Sequence, residues 1–535
     1  MIPAVAALQD GRPARTRSWL ARQAGVLDRH RLVIVLAFTL VYSWIVYVRA
    51  SGKPFWHDEI FTLIIATRGS LREIWAAHLA GLDLMPPLNA ALTHAFIGVF
   101  GLGAVTGRLP AMIGVWAASV IGFAFVRQRR ELPAALIALM LPLLLGSATM
   151  AYEARGYGLM LGLFALSMYA WSELARGRRP RLSAVVLSAS LAGSIWAHYY
   201  AAINVFPIVV GEAFRLVRTK RLDWLVIAAL GTAMISAAPL AALVRVASAQ
   251  AATYWRHPSL GDLQETYALL LGPHAGVFAI VAVTILGVVT MLAAAQGAHT
   301  DAPPQALAAH EVAAGVATLL IPVVTWLTGV LVTGVFVPRY ALSAVFGLST
   351  GIPLALATLG RFARVRTQAG MLLCALAFAY SYRDARPGGH ASFANPVGAR
   401  PALSGALAGR TPVIVSSTLF LQVWYYASEA QRLNLYAVAD PGMARRLIGT
   451  DTVDLGYVAL RNWYPAQIQS YAEFTSAHRE FLVYGTPALN WIADKLREDG
   501  ATLQTVTRES GASLQAVLLP AGGGTLRSRG GVAHE

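Results

Sequence analysis

The 535-residue chain has a single cysteine, Cys374. No intrachain disulfide and no cysteine-based metal site can form. Lysine is nearly as scarce, 3 against 40 arginines, so an arginine at a given position says little about guanidinium being chosen over ammonium. Only 13% of the residues are charged, where a soluble protein has about a quarter. That deficit excludes a soluble multidomain enzyme, and it excludes a disordered chain, whose balance is the reverse. Glycine-rich and metal-binding signatures are also missing. There is no GxGxxG, Walker loop or HExxH, so no soluble nucleotide site is expected and an activated substrate would arrive within the lipid. The start of the chain lacks a small-residue cleavage site. Its arginines (Arg12, Arg15, Arg17, Arg22, Arg29, Arg31) precede an apolar run, which reads as a cytoplasmic basic tail, 1–31, and a retained first helix.

What the chain has is apolar surface. Hydrophobic residues make up 56% and the mean hydropathy is +0.55. This composition predicts a polytopic α-helical membrane protein. The 13 tryptophans and 10% aromatics suit two water–lipid interfaces. A net charge of +16 does not point to nucleic acid, because the arginines lie in short clusters between apolar runs rather than in one patch. Stretches of about 20 apolar residues place eleven spans at 32–50, 106–126, 133–150, 156–173, 183–199, 201–217, 223–245, 276–296, 312–334, 339–359 and 367–382. With the N-terminus inside, Arg127/Arg129/Arg130, Arg176/Arg178/Arg179/Arg181, Arg218/Lys220/Arg221 and Arg361/Arg364/Arg366 share the cytoplasmic face, as the positive-inside rule requires. The segment 86–101 is short, begins Pro-Pro, and reads as a juxtamembrane helix. Long outer loops then cover 51–105 and 246–275.

Beyond 383 the composition changes. Residues 384–535 hold 13 Lys/Arg and 12 Asp/Glu. A loop rich in Gly, Pro and Ala leads into alternating elements. TPVIVSS, LNLYAVAD, EFLVYG, TLQTVT and LQAVLLP read as strands, and PGMARRLIG and PALNWIADKLRED as helices. The expectation is a soluble α/β domain. An odd number of spans places it outside the membrane. The AGGGTLRSRGG tail is low-complexity.

Seven acidic residues serve the outer face of 1–383: Asp58, Glu59, Glu73, Asp83, Glu153, Asp262 and Glu265. Two of them are adjacent, in Lys53-Pro54-Phe55-Trp56-His57-Asp58-Glu59, just past the first span. A helix start accounts for such a pair, and so does acid–base chemistry. Tyr152-Glu153-Ala154-Arg155-Gly156-Tyr157 lies at the next outer corner, where a charge at the membrane edge needs a partner or a wet cavity. His198-Tyr199-Tyr200, Tyr254-Trp255-Arg256-His257 and Val337-Pro338-Arg339-Tyr340 complete that face. The first two also fit an aromatic belt. Arg339 fits an anionic headgroup, whose oxygens a guanidinium fork matches. Asp83 follows in Gly81-Leu82-Asp83-Leu84-Met85-Pro86-Pro87-Leu88-Asn89. Carboxylates and arginines at one lipid-level face suggest chemistry on a lipid-linked phosphate. A multispan transporter or a lipid-binding membrane protein without catalysis is the alternative, although no internal repeat of the transporter kind is visible.

The order of these motifs, with Gly107-Arg108-Leu109-Pro110 opening a span, resembles the GT-C superfamily of membrane glycosyltransferases. The resemblance covers residues 32–360. Within that superfamily the chain is similar to the bacterial group of protein O-mannosyltransferases and aminoarabinose lipid A transferases. The resemblance implies inverting transfer of a sugar from a polyprenyl-phosphate donor to an acceptor hydroxyl at the outer face of the bacterial cytoplasmic membrane. It implies Asp58 as general base and Glu59 as the residue that orients the acceptor or Asp58. Arg155, Tyr157, Arg339 and Tyr340 would bind the donor phosphate. His57, Asp83, His198, Tyr199 and Arg256 are candidate substrate contacts. Relatives differ in whether they use a divalent cation, and the cofactor stays open.

Overall fold

The computed structural model describes residues 31–272, 286, 307–358, 362–385, 395–486, 490–509 and 511–520. The expected span 276–296, the basic tail up to residue 30 and the glycine-rich C-terminal tail lie outside these residues, apart from the helical Leu286.

A helical bundle precedes a smaller α/β unit. The first helix, α1 (Arg31–Gly52), has 22 residues, about 33 Å at 1.5 Å per residue, enough to cross the hydrocarbon core. Three short helices follow: α2 (His57–Ala66), α3 (Leu71–Leu79) and α4 (Leu88–Phe100). With 13 residues, α4 is about 20 Å long, short of a crossing. Then come α5 (Leu109–Arg127), α6 (Leu132–Leu144), α7 (Tyr157–Ala175), α8 (Pro180–Ala197), α9 (Val205–Thr219), α10 (Trp224–Ser236), α11 (Ala241–Ala249) and α12 (Leu260–Leu271). After the undescribed stretch the bundle closes with α13 (Ala309–Leu319), α14 (Ile321–Thr328), α15 (Ala344–Leu356) and α16 (Ala363–Ser381).

Five segments among the described residues are long and apolar enough to span a membrane: Arg31–Gly52, Thr106–Arg127, Tyr157–Ala175, Tyr199–Thr219 and Trp224–Thr253. A sixth arises if α13 and the segment Ile321–Thr333, bent by 50°, count as one. Helices also occupy the other described stretches expected to span. Those stretches fall short for local reasons: α6 and α15 have 13 residues each and enclose Pro142 and Pro353, while α8 carries Arg181 and four serines. The chain is a multispan membrane protein. Leu32, Val33, Leu36, Leu40 and Trp44 of α1 stand exposed, as do Trp224, Ile227 and Ile235 of α10, an apolar surface that lipid would cover.

Close backbone approach holds the centre. Where α5 crosses α7, a β-carbon on Gly114 would collide with the Gly158 carbonyl, and one on Gly162 with the Gly114 carbonyl. Small residues at such crossings maximise packing where lipid supplies no hydrophobic drive.

Contacts sort the helix ends into two groups. At one end, Arg129 and Arg176, from the C-terminal ends of α5 and α7, meet Glu311 at the start of α13, with Arg129–Glu311 at 2.6 Å. At the other end, the C-terminus of α1 and the N-termini of α5 and α7 meet Glu59 and its partners. This is the alternation expected of successive crossings.

Residues 395–520 form the α/β unit around a six-stranded sheet. Its strands are β1 (Val413–Val415), β2 (Leu435–Val438), β3 (Ile468–Gln469), β4 (Glu480–Gly485), β5 (Thr502–Glu509) and β6 (Ala512–Leu518), in the order β3-β2-β1-β4-β6-β5. The first four are parallel to their neighbours, and β4-β6-β5 is antiparallel. All five strands read from the sequence are present. So are the helices at Pro441–Ile448 and Ile492–Glu498. Two further helices matter for the site, α17 (Leu419–Tyr426) and α18 (Thr452–Leu460). The unit does not stand apart. Phe55, Ile60, Phe61 and Leu63 of the α2 segment share one hydrophobic core with Val413, Phe420, Leu435 and Tyr457.

Candidate active site

Asp58 and Glu59 occupy the first turn of α2, where carboxylates favour the helix dipole. They face different surroundings. The Glu59 side chain is completely buried. Its oxygens accept from Arg108 Nε at 2.8 Å and Nη2 at 3.0 Å. They also accept from the backbone of Ala154 at 2.7 Å and of Trp56 at 3.2 Å. Arg108 is equally buried. It donates further to the carbonyls of Ala50 at 2.6 Å and Lys53 at 2.8 Å, and its guanidinium stacks on Phe55, 4.4 Å from the ring centre. A buried pair gains little net stability, but removing one partner strands a charge at a cost of about 3–5 kcal/mol. Glu59 and Arg108 thus pin the end of α1, the Lys53–Trp56 turn and α2 together.

Asp58 remains open. Its side chain keeps 26% exposure, and its Oδ2 lies 3.4 Å from Arg339 Nη2. Arg339 is delivered by a short 3₁₀ turn, Pro338–Ala341, after a left-handed turn at Gly334. Its Nε donates to Tyr157 Oη at 2.8 Å, and its guanidinium sits 5.2 Å from the Tyr157 ring and 5.7 Å from Trp56. Tyr157, at the start of α7, is buried beside His198, and His198 packs against Tyr340 with tilted rings whose centres are 4.7 Å apart. Tyr200 lies 4.9 Å from Tyr340, and Tyr254 reaches the Tyr340 hydroxyl at 3.4 Å. The result is an aromatic-walled recess with one carboxylate and one guanidinium.

The remaining predicted residues surround or leave this recess. Arg155 is bound by Asp83, at 2.6 and 3.2 Å, and by the Asp58 carbonyl and Thr62 Oγ1, each at 3.1 Å. Burial opposes its charge, but Asp83 and Asp58 hold it firmly protonated. Asp83 is therefore spent on Arg155 rather than open to solvent. His57 is buried. Burial depresses its pKa despite the neighbouring Asp58; its ring meets Phe61 and Tyr457 edge-on. Tyr199 turns away to pack with Trp75 and Trp196 against Ile195 and Leu240. Arg256 pairs with Asp262 at 2.6 Å and with Glu265, local partners on the α12 helix that follows it. Lys53, quoted in the sequence motif without a role, lies 3.3 Å from Glu153. Glu153 has its pKa raised by burial, with Lys53 opposing. Arg108 was visible only as part of a motif. Its signal was a charge at the mouth of an apolar span, which demands a partner. Among the described residues, no group of three or more His, Cys, Asp or Glu could hold a metal ion.

No family model matches the sequence, and no curated protein does. Solved structures do. The crystal structure of ArnT from Cupriavidus metallidurans in the apo state matches with a TM-score of 0.56 at 14% identity, covering 92% of this chain and 98% of that one. The chain has the ArnT fold. A second ArnT structure, bound to undecaprenyl phosphate, matches with a TM-score of 0.54 at 14% identity, over 91% of this chain and 98% of the other. With such coverage, the ArnT likeness takes in the helical bundle and the α/β unit together.

Proposed function

We propose that the protein is an inverting glycosyltransferase that moves a sugar from a polyprenyl-phosphate donor to an acceptor hydroxyl at the outer face of the membrane. The observation that carries this reading is the open Asp58 carboxylate, 3.4 Å from Arg339, in a fold shared with a protein solved bound to undecaprenyl phosphate. In the proposed reaction the acceptor oxygen attacks the anomeric carbon as the bond from that carbon to the phosphate oxygen breaks. The acceptor proton passes to Asp58, and the bond pair leaves on the phosphate. An ionised carboxylate is competent for this at neutral pH because the proton becomes acidic only as attack proceeds. Arg339, oriented by Tyr157, would stabilise the charge growing on the departing phosphate. Glu59 and Arg155, whose contacts are internal, act as positioning residues. Glu59 with Arg108 fixes the turn before α2, and Arg155 with Asp83 fixes the backbone at Asp58.

The α/β unit belongs on the same face as this site because it packs on α2. The arginine clusters support the reading that this face is outside. Transfer of labelled sugar from synthetic polyprenyl-phosphate donors, wild type against Asp58→Asn, tests the proposal. Asparagine keeps the shape while removing the base, and a general base contributes about 10²–10⁴-fold. A folded but inactive variant is expected. Near-wild-type transfer would end the assignment.

A further inference from the structure

The segment that carries Asp58 is held from two sides, and one of those sides is the α/β unit. Phe55, three residues before Asp58, has both of its backbone groups bound by α17. Its N–H donates to Tyr426 Oη at 2.7 Å, and its carbonyl accepts from Gln422 Nε2 at 3.1 Å. One turn apart on a helix, positions 422 and 426 present side chains on one face, so a single helix grips both peptide groups that flank Phe55. Tyr457 of α18 meets His57 edge-on with ring centres 5.6 Å apart, while its hydroxyl donates to the Ser417 carbonyl at 2.6 Å. That anchor ties Tyr457 to the turn that starts α17. A backbone group left half-buried without a partner is costly, so both Phe55 groups have reason to stay engaged.

We infer that the α/β unit is part of the catalytic apparatus, with Tyr426 and Gln422 as positioning residues that hold the 55–58 turn and thereby aim Asp58. This inference rests on the proposed role of Asp58. It differs from the view of the unit as an appended module, and it explains why its core is continuous with α2. Arg108 restrains the turn from the bundle side, through the Lys53 carbonyl and Glu59. The α17 grip restrains it independently, at Phe55, so loss of the grip leaves the segment attached but free to pivot.

The test uses the full-length protein carrying Tyr426→Phe and Gln422→Leu together, which removes both hydrogen bonds and keeps the apolar bulk. Tyr471→Phe, which deletes a hydroxyl that bonds Asp499 at 2.8 Å far from the turn, is the control. Two readouts are taken: hydrogen exchange of the amides at 55–60, and initial rates with a synthetic polyprenyl-phosphate sugar. The expected result is faster exchange at 55–60 in the double variant alone, with kcat down about tenfold and donor KM within about twofold, since misplacing a reacting group costs rate more than binding. Unchanged exchange overturns the grip. Faster exchange with unchanged kcat overturns its role in positioning Asp58. A rise in donor KM that matches the fall in kcat means that donor binding, not the aim of Asp58, is disturbed, and also overturns it. Should the wild type transfer no sugar, the functional proposal fails, and exchange still decides the grip.

Discussion

Asp58 and Glu59 carry the same functional group on adjacent residues, and a helix turns them about 100° apart. One therefore points at Arg108 and the backbone of Ala154, the other at Arg339. Arg339 is where the phosphate assignment is most exposed to test. If it holds the donor phosphate, Arg339→Ala raises donor KM, because the phosphate is present before reaction. It also lowers kcat, because charge on the bridging oxygen grows as the sugar leaves. Arg339→Lys recovers only part, since an ammonium cannot keep the fork that now spans Tyr157 and Asp58. An arginine that merely sets headgroup depth predicts otherwise: lysine snorkels equally well, and full activity with unaltered KM in Arg339→Lys would remove it from the site. The residue types of the recess were legible in the sequence because Asp58, Tyr157, His198, Arg339 and Tyr340 all sit at the edges of apolar runs. Their pairing was not. Arg155 finds Asp83 across 72 positions and Arg108 finds Glu59 across 49, and no local pattern encodes which arginine each carboxylate takes.

At the scale of elements, the site depends on helices that stop in the right place. Breaks at His198–Asn204 and Pro338–Ala341 turn His198, Arg339 and Tyr340 into the recess, and the crossing of α5 and α7 sets Arg108 against Tyr157's end of the bundle. That crossing has no room for a side chain at Gly162, where a β-carbon would meet the Gly114 backbone. Gly162→Leu should therefore force the helices apart and abolish recovery of folded, monodisperse protein. Gly231, whose β-carbon would meet nothing within 4 Å, should tolerate alanine in the same size-exclusion assay. Equal recovery of the two variants would refute the packing argument. The sequence pattern revealed the long apolar helices and five strands, because length and alternation are local properties. It did not reveal β3, which has two residues. Nor did it reveal α17, whose sequence LFLQVWYY is rich in strand-favouring aromatics and is helical because Phe420, Leu421, Val423 and Trp424 are buried against surrounding elements.

For the whole molecule the decisive relation is which end of the bundle faces out. The geometry ties three things together without reference to a membrane. The α/β unit grips the peptide before Asp58, Asp58 meets Arg339, and all of them lie at the end of α7 marked by Tyr157. Arg178 lies past the other end of α7, beyond 19 helical residues, about 28 Å away at 1.5 Å per residue. If lipid covers the exposed apolar surface between, position 178 and the α/β unit must be on opposite sides. The arginine bias favours the cytoplasm for the side of 178, and we propose that orientation. Single cysteines test this in a Cys374→Ala background: Arg178→Cys, in an exposed turn, and Ala477→Cys, exposed on the α/β unit. In right-side-out spheroplasts an impermeant maleimide should label 477 at once and 178 only after detergent is added. Labelling of both without detergent would break the spanning assignment of α7. Labelling of 178 alone would invert the protein, and with it the face at which the proposed acceptor could be reached.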